Sequence, residues 1–247
     1  MKIHCVIPAR YKSSRFPGKP LADIHGKPMI WWVCRQARRV AEFDRVMVAT
    51  DDERIRAACA DLGLDVVMTS DAHPTGTDRV GEAARQFPAD VIVNVQGDEP
   101  LVEPEAIRTA IRPLLEEPEV RVTNLMSRIA VQADVLSATV PKVVASHRGL
   151  AVYLSRWPVP YPKNPGERPY FKQVCVYAFR PEALQAYCAH PRTPAELAED
   201  IEILRFIEMG VPVRMLEVPE AAVAVDTPGD LERVRGLLAE RAGEAHG

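Results

Sequence analysis

Four cations stand close together near the start of the chain: Arg10, Lys12, Arg15 and Lys19, in the run PARYKSSRFPGKP at residues 8–20. The small residues between them let the backbone approach a ligand. The segment therefore suits a polyphosphate wrapped by side-chain charge and backbone N–H groups together. It is neither GxGxxG nor GxxxxGK followed by Ser or Thr, so a dinucleotide-binding turn and a P-loop both lose their key support. Two acids follow apolar runs further on, Asp98 in NVQGDEP and Asp226 in VDTP. Alone, Asp98 fits a capped turn, and Asp226 fits a helix N-cap ahead of Pro228. Together they fit a two-carboxylate site for an Mg²⁺ that keeps several waters and borrows phosphate oxygens. A further polar cluster, Thr75-Gly76-Thr77-Asp78-Arg79, frames a nucleobase or caps a helix.

These clusters need strands that end beside one another. Apolar runs at residues 3–7, 45–49, 65–68 and 91–95 read as buried strands. Between them lie helical patterns at 29–40, with Pro28 suited to the first turn, at 52–62, closed by Gly63, and at 77–87. Near-continuous Val/Ile strands separated by helices predict a doubly wound α/β fold, its mostly parallel sheet covered on both faces. In such sheets ligands gather beyond the carboxyl ends of the strands, where the polar clusters lie. The second half is less regular. It contains a strand at 174–179, a helix at 196–209 stopped by Gly210, a strand at 213–218 and a terminal helix at 227–239. Pro-rich stretches, WPVPYP and PRTP, interrupt it. The reading is one domain over 1–247 with a smaller β-rich excursion at roughly 139–179.

Composition narrows the function classes. The 247 residues include 31 Lys+Arg and 34 Asp+Glu, a net charge of −3, which leaves no basic footprint for nucleic acid or an anionic membrane. With 47% hydrophobic and 26% charged residues, the chain is of ordinary globular composition. The five cysteines form no CxxC pair, so neither a disulfide framework nor a zinc site is indicated, and they read as reduced and mostly buried. The N-terminal apolar run is too short for a signal peptide, and no window approaches the roughly 18 apolar residues of a membrane span. A cytoplasmic location is expected.

The segments IPARYKSSRFPGKPL, HGKPMI, VATDD, PTGTDR, VNVQGDEPL, LSRW and VDTPGDLERV occur in that order over residues 3–235. Together they resemble the CMP-Kdo synthetases, 3-deoxy-manno-octulosonate cytidylyltransferases of the Rossmann-like nucleotide-diphospho-sugar transferase fold. The resemblance implies a homodimeric, Mg²⁺-dependent enzyme that joins CMP from CTP to an acid acceptor and releases pyrophosphate. Carried over residue by residue, Arg10, Arg15 and Lys19 match the triphosphate loop. Pro8, Ala9, Thr75, Gly76 and Gln96 match the surroundings of the nucleotide. Asp98 and Asp226 match the metal-binding aspartates and, with Lys19 and Arg10, the catalytic set. Gln96, Lys142, Arg156, Lys172, Gln173 and Glu202 fall on the acceptor side.

That side departs from the family pattern. Members read (Arg/Lys)-His-Leu-Gly-(Ile/Val)-Tyr where this chain has Lys172-Gln173-Val174-Cys175-Val176-Tyr177. They read Leu-Glu-Gln-Leu-Arg where it has Ile201-Glu202-Ile203-Leu204-Arg205. If Gln173, Cys175 and Ile203 crowd the pocket, a sugar acid loses partners at roughly 1–3 kcal/mol for each unpaired hydroxyl. Two acceptors are therefore expected. One is Kdo or a close sugar acid. The other is a small phosphonate such as phosphonoformate, as used by a branch of similar enzymes in antibiotic pathways, held by Arg156, Lys142 and Lys172. A non-catalytic CTP- or CMP-binding protein would be marked by loss of Lys19, Asp98 or Asp226, and all three are present. The order of motifs opposes a nucleotidyltransferase for sugar 1-phosphates. His4, His25, His73, His147 and His190 match no nucleophile–base pattern.

Overall fold

The computed structural model describes residues 1–13, 16–163, 169–219 and 223–244, and side chains only to residue 240. The first half runs β1 (Ile3–Ala9), a single 3-10 turn (Lys19–Leu21), a small hairpin of β2 (Asp23–Ile24) and β3 (Lys27–Pro28), α1 (Met29–Ala37), β4 (Arg45–Thr50), α2 (Glu53–Asp61), β5 (Asp65–Met68), α3 (Gly76–Gln86) and β6 (Val91–Val95). It continues through α4 (Pro104–Glu116), β7 (Val122–Arg128), α5 (Gln132–Leu136), β8 (Lys142–Ala145), β9 (Ala151–Ser155) and β10 (Phe171–Phe179). The chain closes with α6 (Pro181–Ala189), α7 (Pro194–Glu199), α8 (Ile203–Glu208), β11 (Arg214–Val218) and α9 (Pro228–Glu244).

The main sheet has the order β11-β7-β10-β6-β1-β4-β5, and β8 pairs with both β10 and β9. All neighbours along the main path are parallel except β10, which runs antiparallel to β6 and β7. Every residue of β1 and β6 is buried, as expected of central strands covered on both faces. The two-residue alternation of β1 splits its side chains between two cores. Cys5, Ile7 and Ala9 pack with Ile30 and Val33 of α1, Ile55 of α2, and Ile107 and Ile111 of α4. Val6 faces the other way, with Val80 and Ala83 of α3, Leu184 of α6 and Phe206 of α8. From β1 the chain winds outward to β4 and β5, then returns to β6 on the opposite side of β1. Reversal of the strand order there opens a crevice at the carboxyl ends of β1 and β6.

Three expectations need correction. The stretch 139–179 is not wholly an excursion, because β10 lies inside the main sheet between β6 and β7; β8 and β9 stand beside it. The helix expected at 196–209 is two helices, α7 and α8, broken where Asp200 adopts a left-handed conformation with φ 51°. Helix α4 and strand β7, absent from the sequence reading, follow directly on the Asp98 cluster. Pro104 opens α4, and its apolar stripe packs on the sheet.

Candidate active site

Two of the strand ends meet over a glycine. A Cβ on Gly97 would lie 2.8 Å from the Pro8 carbonyl, so only glycine lets the chain leaving β6 pass so close to the end of β1. Past β1 the chain makes a loop that closes where the Gly18 amide donates to the Tyr11 carbonyl at 2.9 Å. The 3-10 turn that follows turns Lys19 back toward the crevice. Its Nζ lies 2.7 Å from Asp98 Oδ2 and 3.7 Å from Asp226 Oδ1. Asp226 is brought there by a backbone bond in which the Val225 amide donates to the Asp98 carbonyl at 2.9 Å. The resulting cavity, of about 170 Å³, is lined by Pro8, Ala9, Arg10, Lys19, Thr75, Gly76, Gln96, Asp98, Glu202 and Asp226, all of them expected site residues. Arg15 lies outside the described residues.

The floor of the cavity is the first turn of α3. Thr75 caps it, accepting from the Asp78 amide at 3.2 Å and donating to Asp78 Oδ2 at 2.7 Å. The next two amides, of Gly76 and Thr77, would lack partners within the helix. They donate to the carboxylate oxygens of Glu202 at 3.1 and 2.9 Å. Withdrawal from water pushes the Glu202 pKa up, and these hydrogen bonds only partly offset it. Glu202 reaches α3 because the chain breaks at Asp200 and because Arg205, one turn on, anchors α8. The Arg205 guanidinium is 1% exposed. It donates to Asp78 Oδ1 and Oδ2 at 2.9 and 3.1 Å, and to Glu196 Oε1 and Oε2 at 2.7 and 2.8 Å. The same guanidinium stacks 3.8 Å over the Tyr187 ring.

Sequence reasoning gave no individual role to two groups in or beside this site, Arg79 and Glu99. Arg79 is buried against Asp51 at 3.3 Å and Thr69 at 2.5 Å, and it lines the cavity with His73, Ser13, Pro20 and Gly97. Its signal was its place in the TDR cluster, four residues after Thr75, on the same helical face. Glu99 is 4% exposed, and burial, followed by the charge of Asp98, pushes its pKa up to about 8. Its only signal was adjacency to Asp98. The cavity thus combines Arg10, Lys19 and Arg79 with the two aspartates. Such a set can hold a phosphate chain and a divalent cation together.

A family model described as Cytidylyltransferase matches residues 4–215. The chain belongs to the cytidylyltransferase family. It is 45% identical over 245 residues to the 3-deoxy-manno-octulosonate cytidylyltransferase of Geobacter sulfurreducens, covering 95% of this chain and 98% of that one. It is 42% identical over 239 residues to the enzyme of the same name from Escherichia coli, covering 97% of each. A solved structure of CMP:2-keto-3-deoxy-manno-octonic acid synthetase complexed with CTP superposes with a TM-score of 0.92 at 42% identity, over 98% of this chain and 100% of that one. A cytidylyltransferase from Leptospira borgpetersenii, at 16% identity and a TM-score of 0.66, shares the fold. The protein is a CTP-dependent nucleotidyltransferase.

In this cytidylyltransferase the residues expected on the acceptor side are placed differently from those expected around the nucleotide. Arg156 lines a second, wider cavity of about 780 Å³, adjoining the first through Arg10 and Ser13. Its guanidinium donates to the carbonyls of Glu199, Ala138 and Asp200 at 2.5, 2.9 and 3.0 Å. Of the other described residues expected there, Lys142, Lys172 and Gln173 line neither cavity. The Lys142 ammonium is buried and donates to the carbonyls of Ser137 and Arg156, and burial pulls its pKa down. Gln173 donates to Asn124 Oδ1 at 2.9 Å. Asn124 in turn donates to the carbonyls of Val174 and Val176, at 2.9 Å each, across the β-bulge that holds Cys175. Ile203, expected to crowd the acceptor, is 1% exposed in the core with Phe206 and Leu184. None of Gln173, Cys175 and Ile203 lines either of these two cavities; Gln173 and Ile203 are buried, whereas the Cys175 carbonyl accepts from the amide of the cavity-lining Gln96 at 3.2 Å.

Proposed function

We propose that this cytidylyltransferase transfers CMP from CTP to Kdo or a close sugar acid, with Mg²⁺ held by Asp98 and Asp226. The observation that carries the reading is the convergence of Lys19, Asp98 and Asp226 on one crevice rimmed by Arg10 and Arg79. The acceptor follows from full-length relatives whose names specify 3-deoxy-manno-octulosonate. Gln173 and Ile203, buried and lining neither cavity, lend no support to a small phosphonate.

The residues suit magnesium. The two carboxylates approach one ammonium and remain 27% and 28% exposed, open to a ligand. Among the described residues no cluster of three or more His, Cys, Asp or Glu could cage an ion with protein alone. Mg²⁺ characteristically takes one or two carboxylates and completes its shell with water and phosphate oxygens. When bound, it supplies charge neutralisation on the phosphates. Arg10 and Lys19 hold the triphosphate and balance the charge that grows on the departing pyrophosphate. A hydroxyl oxygen of the acceptor attacks the α-phosphorus and gives up its proton to solvent, the bond from that phosphorus to the bridging β-phosphate oxygen breaks, and pyrophosphate leaves with that bond's electrons. No covalent enzyme intermediate is required, so catalysis is positioning plus electrostatics. A homodimer is consistent with the apolar surface of Val152, Tyr153, Trp157 and Tyr161 at and beyond β9, 37–85% exposed; light scattering on the purified protein would detect it.

The test is pyrophosphate release from CTP with Kdo or phosphonoformate, with Mg²⁺ or with EDTA. Release with Kdo that EDTA abolishes is the expected result. Efficient use of phosphonoformate with none of Kdo would overturn the acceptor. CTP binding without pyrophosphate from any acid would overturn catalysis.

A further inference from the structure

Tyr11 and Arg54 make a contact that the reaction as described does not use. The Arg54 guanidinium lies 3.3 Å from the Tyr11 ring centroid. It is held there by Asp52, the N-cap of α2, whose carboxylate accepts from Nε at 2.9 Å and Nη2 at 2.6 Å. The ring also packs against Gly18. A Cβ at that position would meet Tyr11 Cζ at 3.0 Å and Oη at 3.1 Å, and Gly18 has φ +73°. The Gly18 amide bonds the Tyr11 carbonyl. Tyr11 and Gly18 therefore form the neck of the basic loop, with one flank of the ring on Gly18 and a guanidinium from another element over its face. Arg10 directly precedes this neck and Lys19 directly follows it, and both line the cavity.

We infer that Tyr11, clamped by Arg54, is a positioning residue that sets the spacing of Arg10 and Lys19 for the triphosphate. Closing a loop at its neck removes relative motion of the two flanking residues. An exposed cation–π contact is weak on its own, so the expected effect is graded. It should appear in nucleotide affinity before it appears in the chemical step. Arg54 is the cleaner handle, because it lines neither cavity and its side chain is 58% exposed, so the fold survives its replacement.

The inference rests on the triphosphate reading of the loop, so Arg10→Ala serves as the control. Steady-state kinetics with CTP and Kdo, read by pyrophosphate release, should show Arg54→Ala and Tyr11→Leu each raising KM for CTP by about 3–10-fold, with kcat within about 2-fold. Tyr11→Phe, which keeps the ring, should stay at the wild-type value, and Arg54→Lys should recover part of the loss. The double variant Tyr11→Leu/Arg54→Ala should be no worse than Tyr11→Leu alone, because Arg54→Ala removes only a contact that Tyr11→Leu has already removed. An unchanged KM in Arg54→Ala, or losses that multiply in the double variant, would overturn the clamp. A higher acceptor KM in Tyr11→Leu alone would instead make the ring an acceptor contact and overturn the positioning role. If Arg10→Ala also leaves KM for CTP unchanged, the triphosphate reading falls with it; if Arg10→Ala raises KM and Arg54→Ala does not, only the clamp falls.

Discussion

At the carboxyl ends of β1 and β6 the charged side chains face the cavity, whereas around β8, β10 and α7 the same residue types are bonded to the protein's own carbonyls. Lys19 meets two carboxylates on the crevice, while Lys142 is buried between the carbonyls of Ser137 and Arg156. Arg10 is exposed at the cavity rim, while Arg156 has three carbonyl partners. The difference has a topological origin. Parallel strands deliver their loops to one edge of the sheet and leave side chains there without ladder duties. The antiparallel β10, its bulge and the broken α7–α8 pair leave backbone carbonyls that need donors, and long cations supply them. A basic residue therefore identifies a substrate contact only where the backbone around it is already satisfied.

The comparison can be broken most forcefully at Arg205. Arg205→Met removes the buried guanidinium shared by Asp78 and Glu196 and is expected to destabilise the fold by about 3–5 kcal/mol, measured by urea unfolding. Asp98→Asn acts on the other side. It is expected to lower kcat on the order of 10²–10³-fold, with circular dichroism and melting unchanged. If it instead unfolds the protein, the crevice is scaffold as well. Ile203→Gln sharpens the contrast, because it places an amide in a packed core. It should cost about 1–3 kcal/mol in stability without improving use of a sugar acid.

Acid exposes the scaffold's dependence on charge. Burial opposes ionisation of Glu196, but hydrogen bonds from Arg205, Thr193 and Arg192 outweigh it and hold its pKa below the ordinary 4.5. Glu199 is likewise lowered, burial being outweighed by bonds from Ser155, the Arg156 amide and Tyr153. Both groups bind protons more weakly in the folded state than in the unfolded one. Their stabilisation is therefore present above about pH 4.5 and is lost as pH falls through their folded pKa values. Urea midpoints should drop between pH 5 and pH 3, and less steeply in Arg205→Met. The smallest effect is reserved for Lys142→Met, which should leave KM for both substrates within about 2-fold, because the ammonium serves backbone carbonyls.

Much of the crevice at the carboxyl ends of β1 and β6 was legible in the chain. Strands β1, β4, β5 and β6 announce themselves as short, mostly apolar runs, and polar clusters follow them closely. The region around β8, β10 and α7 was less legible. The pattern from 196 to 209 has helical spacing throughout, and nothing local marks Asp200 as the residue that turns left-handed. Nor does Val174-Cys175-Val176 show that a bulge there will need the Asn124 amide.

Residue order by itself determined the α/β class, the strand-end location of the basic loop and of Asp98, and the family. Each of these depends on local pattern, on short-range alternation and on motifs that keep their sequence. Asp226, expected at a strand end, instead follows an irregular segment, since β11 ends at Val218. Only the tertiary structure decided that Asp226 lies against Asp98, that Glu202 takes the amides of α3, and that Lys142 and Ile203 belong to the scaffold. Those outcomes depend on which distant backbone groups are brought near a side chain and left in need of a partner. A donor's identity is written in the chain, but its acceptor is chosen by packing.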